Sequence, residues 1–343
     1  MASSAGTARR VLRVALPALI PAVAYTAYRF HLAEAMKAFF TGQGKYSRIA
    51  VLALVLWNWK SLPLAWTLRV WNAMIFHLFL RKSHSHTPDK LFHPVISESR
   101  VTLLEVDYNI HKSNSTYFAD LDVSRTHLVS HLLSRGLHLA ADNVNTKLVM
   151  DPADPSRPAK GKLGIMLGAA GCSFKREIKP YAKYEMWSRI LAWDRKWLYT
   201  LTHFVEKGAV RPKSWDGASS GPTRKGDRKS QDWEKKIHAT AVSKYVFKIG
   251  RLTVHPAIII GASGLLPERP GGWVTTENGM AKPAEPVTGG TLDEAGSTAW
   301  DWRRTDEELK KGLEYAEHFA ALDEMHGLFD GAKDGALGSF GLG

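Results

Sequence analysis

Between Glu105 and Tyr117 the chain reads Glu-Val-Asp-Tyr-Asn-Ile-His-Lys-Ser-Asn-Ser-Thr-Tyr, bringing carboxylates, an imidazole, amides and hydroxyls into one short stretch. Side chains of these types could direct attack on an acyl carbonyl. Such a reaction needs donors for the developing oxyanion, and free backbone N–H groups at a helix start, here around Ser113 to Tyr117, are donors of that kind. It also needs an attacking oxygen. Asp107 either activates a water as general base or attacks directly to give an anhydride, and the sequence leaves both routes open. His111 hydrogen-bonds the loop or orients the water, and Asn114 caps the helix or binds the substrate carbonyl. Each has a plainer reading. An Asp before a helix is most often a turn or cap residue, Asn114 and Ser115 are good caps by type, and one loop hydrogen bond explains His111 equally well. Asp120 and Arg125 read as a solvent-exposed pair of little energetic weight.

These residues must be held by the elements that follow. From Tyr117 to Arg135, Phe118, Leu121, Leu128, Leu132 and Leu133 recur at approximate helical spacing, and Gly136 supplies a left-handed terminus. Before the loop, Arg100 to Val106 suits a short strand. After the helix, strand patterns occupy Lys162 to Ala170, Cys172 to Ile178, Tyr184 to Trp193, Lys196 to Val205 and His238 to Ile249, with Asp194-Arg195 joining one long hairpin. One long helix followed by antiparallel strands is the α+β order of a sheet wrapped about a single helix. Glu268 to Trp300 reads as a surface loop, and Thr305-Asp-Glu-Glu308 as a capping box opening an amphipathic helix.

The N-terminal quarter is different. Val11 to Ala27 is apolar but broken by Pro17 and Pro21, and Ile49 to Leu80 is apolar with Trp57, Trp59, Trp66 and Trp71 set among Lys60 and Arg69. Spanning a bilayer takes roughly 20 apolar residues, so this block suits a kinked span or a helix lying at the interface, where Trp and basic residues belong; a pair of buried helices is the bland alternative. The expected organisation is a membrane-associating helical segment at 1–82, a linker at 83–96, a domain at 97–330 with insertions at 207–236 and 267–302, and a flexible tail at 331–343. Membrane association with the domain facing the cytosol follows from that segment and from the single cysteine, Cys172, which forms no internal disulfide.

The net charge of +13 suits an anionic surface or a phosphate-bearing substrate, and much of it lies in the Gly/Ser-rich stretch Lys207 to Lys236, which looks like a solvated insertion. Zinc-ligand spacing, an RNA-recognition motif and a helix-turn-helix signature are missing from the sequence, so neither a metal, a cofactor nor nucleic acid is expected. Gly261-Ala-Ser-Gly264 lacks the spacing of a nucleophile elbow, and the glycines of Gly164 to Gly171 lack a Walker lysine.

The 105–117 stretch, followed by Asp120 and Arg125, resembles the signature of the hot-dog thioesterases, closest to the thioesterase superfamily member 6-like branch. That branch has approximately Asp-x-Asp-x-x-x-His-Met-Asn-Asn-x-x-Tyr. Leu191-Ala-Trp-Asp-Arg-Lys-Trp-Leu-Tyr199 with His203-Phe-Val205 resembles the family's hairpin. Asp107, His111, Asn114 and Tyr117 are retained, whereas Glu105 replaces an Asp and Lys112 and Ser113 replace Met and Asn. The resemblance implies a hot-dog fold, hydrolysis of an acyl-CoA or acyl-carrier-protein thioester, Asp107, His111 and Asn114 as catalytic residues, Ser115 and Tyr117 at the substrate, and a homodimer or higher oligomer. By analogy with fungal members it also implies a place in polyketide or lipopeptide biosynthesis. The alternatives are a non-catalytic acyl-binding or membrane-scaffolding protein and, ranked lowest, an acyl-thioester hydratase.

Overall fold

The computed structural model describes residues 25–26, 28–29, 31–81, 86–212, 233–277, 280–283 and 300–328. The apolar run 11–27 (but for Tyr25 and Thr26), most of the 207–236 and 267–302 insertions, and the tail lie outside the described residues. Five long strands, β1 (Val95–Arg100), β2 (Leu163–Phe174), β3 (Lys183–Trp193), β4 (Trp197–Glu206) and β5 (Ile237–Ile249), form an antiparallel sheet in the order β1-β3-β4-β5-β2, and a short β6 (Leu252–Val254) pairs with β5. The β3–β4 hairpin turns at Asp194, whose Oδ1 accepts the N–H groups of Lys196 and Trp197 at 2.6 and 2.7 Å and whose Oδ2 accepts the Tyr199 hydroxyl at 2.9 Å.

A long helix, α4 (Thr116–Leu132), crosses the sheet and is continued by α5 (Ser134–Ala141). Leu121, Leu128 and Leu132 of α4 pack with Met186, Ile190, Phe204 and Phe247 of the strands. Burial of a side chain such as Leu128, Met186 or Phe204 stabilises by roughly 1.5–3 kcal/mol. β3 is buried on nearly every residue, not on alternate ones, because its second face is covered by the C-terminal helix α7 (Trp302–Ala320). The crossing is close: a Cβ at Gly312 would sit 2.1 Å from the Leu191 carbonyl oxygen.

Several local expectations are corrected. The strand placed over Arg100 to Val106 lies one element earlier, at β1; Leu103–Glu105 is instead a 3-10 turn closed by a reciprocal Thr102–Glu105 capping box. Gly136 does not end the helix. It lies within α5, where any side chain would strike the Ile259 carbonyl of the helix α6 (Pro256–Ala262) at 2.1 Å. The two strands expected across 162–178 are one, β2, with a register irregularity between Leu167 and Ala169. Within the 268–300 loop, Val274–Glu277 and Met280–Pro283 pair as a hairpin. Helix α7 begins before Thr305, with Asp301 as the capping residue that accepts Arg304 N–H at 3.0 Å.

The second apolar block is broken into α2 (Lys45–Trp57), a 3-10 turn (Trp59–Ser61), α3 (Ala65–Ile75) and a π-helical turn (Phe76–Leu80), preceded by α1 (Leu32–Thr41). Left-handed Gly44 and Leu64 supply two of the breaks. No described helix is long and apolar enough to cross a membrane. The segment is not merely appended: α3 packs on α4. Trp57, Trp59, Trp66 and Trp71 nevertheless stay exposed.

Candidate active site

The 105–117 stretch forms a tight loop at the N-terminus of α4. Val106 and Lys112 bridge across it, the Asp107 N–H donates to the His111 carbonyl at 3.0 Å, and Ile110 takes a left-handed conformation to close the turn. Asp107 Oδ1 accepts the Asn109 N–H at 3.0 Å and lies 3.5 Å from His111 Nδ1, which also lies 3.3 Å from the Lys112 carbonyl. Oδ2 has no such contact among the described residues. Both side chains are partly exposed, 21% for Asp107 and 24% for His111. The loop thus presents one carboxylate oxygen, uncommitted, with an imidazole beside the other.

At the helix start the donors are fewer than the sequence suggests. Ser113 N–H is taken by the Glu105 carbonyl at 2.8 Å, and Thr116, Tyr117 and Phe118 N–H groups bond to the carbonyls three residues before them. The N–H groups of Asn114 and Ser115 carry no backbone partner among the described residues. Neither side chain caps the helix; the Ser115 hydroxyl meets that of Ser113 at 3.1 Å. Asn114 and Ser115 are exposed. Tyr117 sits deeper than its neighbours, 2% exposed, with its ring 5.0 Å from those of Phe174 and Phe204, and burial pushes its hydroxyl pKa up. It supports the loop from the core.

Beneath the loop lies a charge network that the sequence did not announce. Asp120, fully buried, receives Lys112 Nζ at 3.0 Å, Lys60 Nζ at 3.0 Å, Arg69 Nη2 at 2.9 Å and the Tyr184 hydroxyl. Glu105 lies 2.9 Å from both lysines. Burial alone would raise the Asp120 pKa, but Lys112, Lys60 and Arg69 hold it well below the usual carboxylate range. Burial and the neighbouring Lys112 lower the pKa of Lys60, against the pull of Asp120 and Glu105. Asp120 and Arg125 are therefore not an exposed pair. Both are buried, and Arg125 binds Asp122 and Ser243 instead. A signal was present: Lys60 and Arg69 stand in an apolar run without acids, and buried cations require a counter-charge elsewhere.

Other sequence features have structural roles. Ser263 of the Gly-Ala-Ser-Gly run bonds to the Ile259 carbonyl at 2.8 Å and to Gly136 N–H at 3.1 Å. Burial raises the Cys172 thiol pKa to about 11, which leaves it protonated and inert. The described residues hold no group of three or more potential metal ligands.

The model of the thioesterase-like superfamily matches residues 101–247, which span the loop, α4 and all of the sheet from β2 to most of β5. Thioesterase poxG of Penicillium oxalicum is 38% identical over 293 residues, covering 82% of this chain and 87% of that protein. Probable thioesterase atnL of Emericella nidulans is 31% identical over 334 residues, covering 95% and 99%. Among solved structures, the YbaW probable thioesterase of Escherichia coli aligns over 50% of this chain and 96% of its own, with 9% identity and a TM-score of 0.33. A long helix crossed by an antiparallel sheet, a retained 105–117 loop and relatedness across most of the chain lead to one conclusion: this protein belongs to the thioesterase-like superfamily and has the hot-dog fold.

Proposed function

We propose that this thioester hydrolase cleaves an acyl thioester carried by coenzyme A or an acyl carrier protein, at the loop 105–117. The observation that carries this reading is the partly exposed Asp107 carboxylate, on the same short loop as the N–H groups of Asn114 and Ser115; neither its Oδ2 nor these N–H groups have a partner among the described residues. Asp107 takes a proton from a water whose oxygen attacks the thioester carbon, and the two N–H groups receive the oxyanion. Collapse of the intermediate breaks the C–S bond, and the departing thiolate recovers the proton from Asp107, leaving the acid and the thiol. His111, beside Oδ1, orients the carboxylate. Direct attack by Asp107 on the thioester carbon is the competing route; it expels the thiolate and leaves an acyl–Asp107 anhydride that water then opens at one of its two carbonyls.

The carrier's phosphates have a plausible landing place. Lys175, Arg176 and Lys179 are exposed on the segment whose Ile178 carbonyl accepts the Lys112 N–H of the loop at 2.9 Å. Lys112, which departs from the family pattern, is committed to Glu105 and Asp120 in the core, so this departure does not by itself remove the chemistry. Two further parts of the reading rest on exposed surface. The outer edge of β2 carries exposed Ile165, Met166 and Leu167 with strand pairing on one side only, which suits a second copy of the chain. The exposed tryptophans of the helical segment, with Lys37, Lys45 and Arg48 nearby in sequence, suit the surface of an anionic bilayer and localise the hydrolase domain there. The relatives' fungal context makes release or editing of a polyketide or lipopeptide acyl chain the biological role proposed.

The test is thiol release from a panel of acyl-coenzyme A and acyl-carrier thioesters by the wild type and by Asp107→Asn. Hydrolysis lost in the variant supports the assignment; saturable binding without turnover in both proteins would replace it with an acyl-binding role.

A further inference from the structure

A cavity of about 470 Å³ opens between α3 with its π-helical turn, β1 and α4, away from the Asp107 loop. Its polar wall carries two guanidinium groups, Arg69 and Arg81, with the imidazoles of His77, His127 and His131. Phe76, Val123 and Met186 form part of an apolar wall. Among the described residues the only carboxylate on the lining is Glu98, which is paired with Lys207. Arg69 gives one nitrogen to Asp120, and Arg81 Nη1 lies 3.3 Å from His131 Nδ1. The volume lies within the range of small-molecule sites.

One buried atom in this wall has no partner among the described residues. His77 is 8% exposed; its Nε2 lies 2.9 Å from His127 Nδ1, while its Nδ1 is buried with no hydrogen bond. An unmade hydrogen bond at a buried polar atom is unfavourable, and native proteins rarely leave one. When His127 Nδ1–H donates to His77 Nε2, the free His77 Nδ1 carries a proton and is a donor. Two guanidinium groups, backed by this buried imidazole and set against an apolar wall, are complementary to an anion that carries a hydrocarbon body.

We propose that this cavity binds an organic carboxylate with an apolar body, its carboxylate held by Arg81 and Arg69 and its hydrocarbon laid against Phe76, Val123 and Met186. The planar fork of a guanidinium matches a carboxylate in two parallel hydrogen bonds, and a neutral alcohol of the same length would offer Arg81 no counter-charge, whereas Arg69 already has Asp120. The assignment stands on the cavity and does not depend on the hydrolysis at Asp107. It also gives a physical purpose to the helical segment, since α3 supplies one wall that the sheet and α4 alone would not complete.

The experiment is calorimetric titration of the full chain with sodium decanoate, decanol and decyl phosphate, on the wild type, on Arg81→Gln and on Val123→Trp, which fills the cavity. The expected result is one saturable decanoate site, weakened at least tenfold in both variants, with decanol at least tenfold weaker in the wild type. Circular dichroism and thermal melting show whether each variant is folded, and the two variants perturb the cavity from different elements. Equal binding of decanoate and decanol, or binding untouched in folded Arg81→Gln and Val123→Trp, would overturn the proposal in favour of adsorption to the exposed apolar helices. Tighter decyl phosphate than decanoate would overturn it in favour of a phosphate site, and no saturable binding would show that the cavity holds water only.

Discussion

The Lys60 ammonium and the Asp120 carboxylate, sixty residues apart in the chain, meet at 3.0 Å with both side chains buried. Each has further partners: Glu105 for Lys60, and Lys112 and Arg69 for Asp120. A buried pair of this kind adds little over an apolar replacement of both members, but removing one member strands the other's charge. Lys60→Met is therefore expected to destabilise the domain by about 3–5 kcal/mol, read as a lowered urea midpoint. Adding Asp120→Asn should recover part of that loss, because the two positions share one network. Additive losses would show that the ammonium and carboxylate act independently.

The same contact separates two truncations. Deleting residues 1–31 removes none of the side chains that enter the Asp120 network, and the remaining chain should express as a folded protein. Deleting 1–82 takes away Lys60 and Arg69 and uncovers the α4 face under α3, so it should yield aggregated or molten protein. Gel filtration and near-ultraviolet circular dichroism decide. A soluble, cooperatively folded 83–343 fragment would show that the helical segment is dispensable to the fold. Flotation of the 32–343 chain with anionic vesicles, compared with neutral ones, tests the bilayer contact separately.

At Asp107 the prediction is kinetic. Asp107→Asn keeps the Asx turn to Asn109 and should leave the melting temperature within a degree or two of wild type. Hydrolysis should fall by roughly 10²–10⁴, the span that a positioned acid–base group supplies. Single-turnover hydrolysis in ¹⁸O-water, followed by mass measurement of the protein, tests the side-chain route: label in the 105–117 peptide means an anhydride opened at the Asp107 carbonyl, whereas label in the released acid alone leaves water activation and an anhydride opened at the substrate carbonyl, which borohydride trapping of an acyl–Asp107 intermediate separates.

Charge reversal at Lys175 and Arg176 addresses the carrier. If these residues meet the phosphates, Lys175→Glu with Arg176→Glu should raise KM for coenzyme A thioesters tenfold or more and leave kcat close to wild type, because contacts to the remote carrier count equally in ground and transition state. The penalty should shrink as salt is added. An unchanged KM removes this segment from carrier recognition.

Acid should loosen the contact between the π-helical turn and α4. Burial, helped by the nearby His127 and Arg81, lowers the His77 pKa from 6.5 to about 4, and burial also lowers that of His127. A depressed histidine pKa means that the unfolded chain binds the proton more readily. The stabilisation by neutral His77 is thus complete above pH 6.5 and is lost as pH falls towards 4. Melting temperatures across that window should fall steeply for the wild type and less steeply for His77→Phe. Parallel curves would show that another group sets the acid limb.

Regular pattern made much of the fold legible. Alternating and β-branched residues from Tyr184 to Val205 mark the hairpin almost to its ends, and the leucines of α4 mark the helix that the sheet covers. The loop was legible by residue type and spacing, and the structure places Asp107, His111 and Asn114 together on it, with Asp107 half-buried and Asn114 exposed. What escaped was whatever depends on distant partners. Asp120 looks like a surface acid until Lys60, Lys112 and Arg69 are seen around it, and no local periodicity encodes a contact across sixty residues. Gly136 looks like a helix terminus because glycine commonly is one; here the reason for glycine is the Ile259 carbonyl 123 residues later, close enough to forbid a side chain. Thr305 matched a capping box, but Asp301 competes for the same helix start and wins through its bond to Arg304 N–H.

The order of these partners along the chain bears on how the protein is born. Lys60 and Arg69 leave the ribosome well before Asp120, and at about 5–20 residues per second the wait between Lys60 and Asp120 lasts roughly 3–12 seconds. Throughout that interval two cations lack their carboxylate and the Trp-rich helices lack α4. The helical segment therefore completes its own packing only once α4 has been made, although it is the first of the two to leave the ribosome.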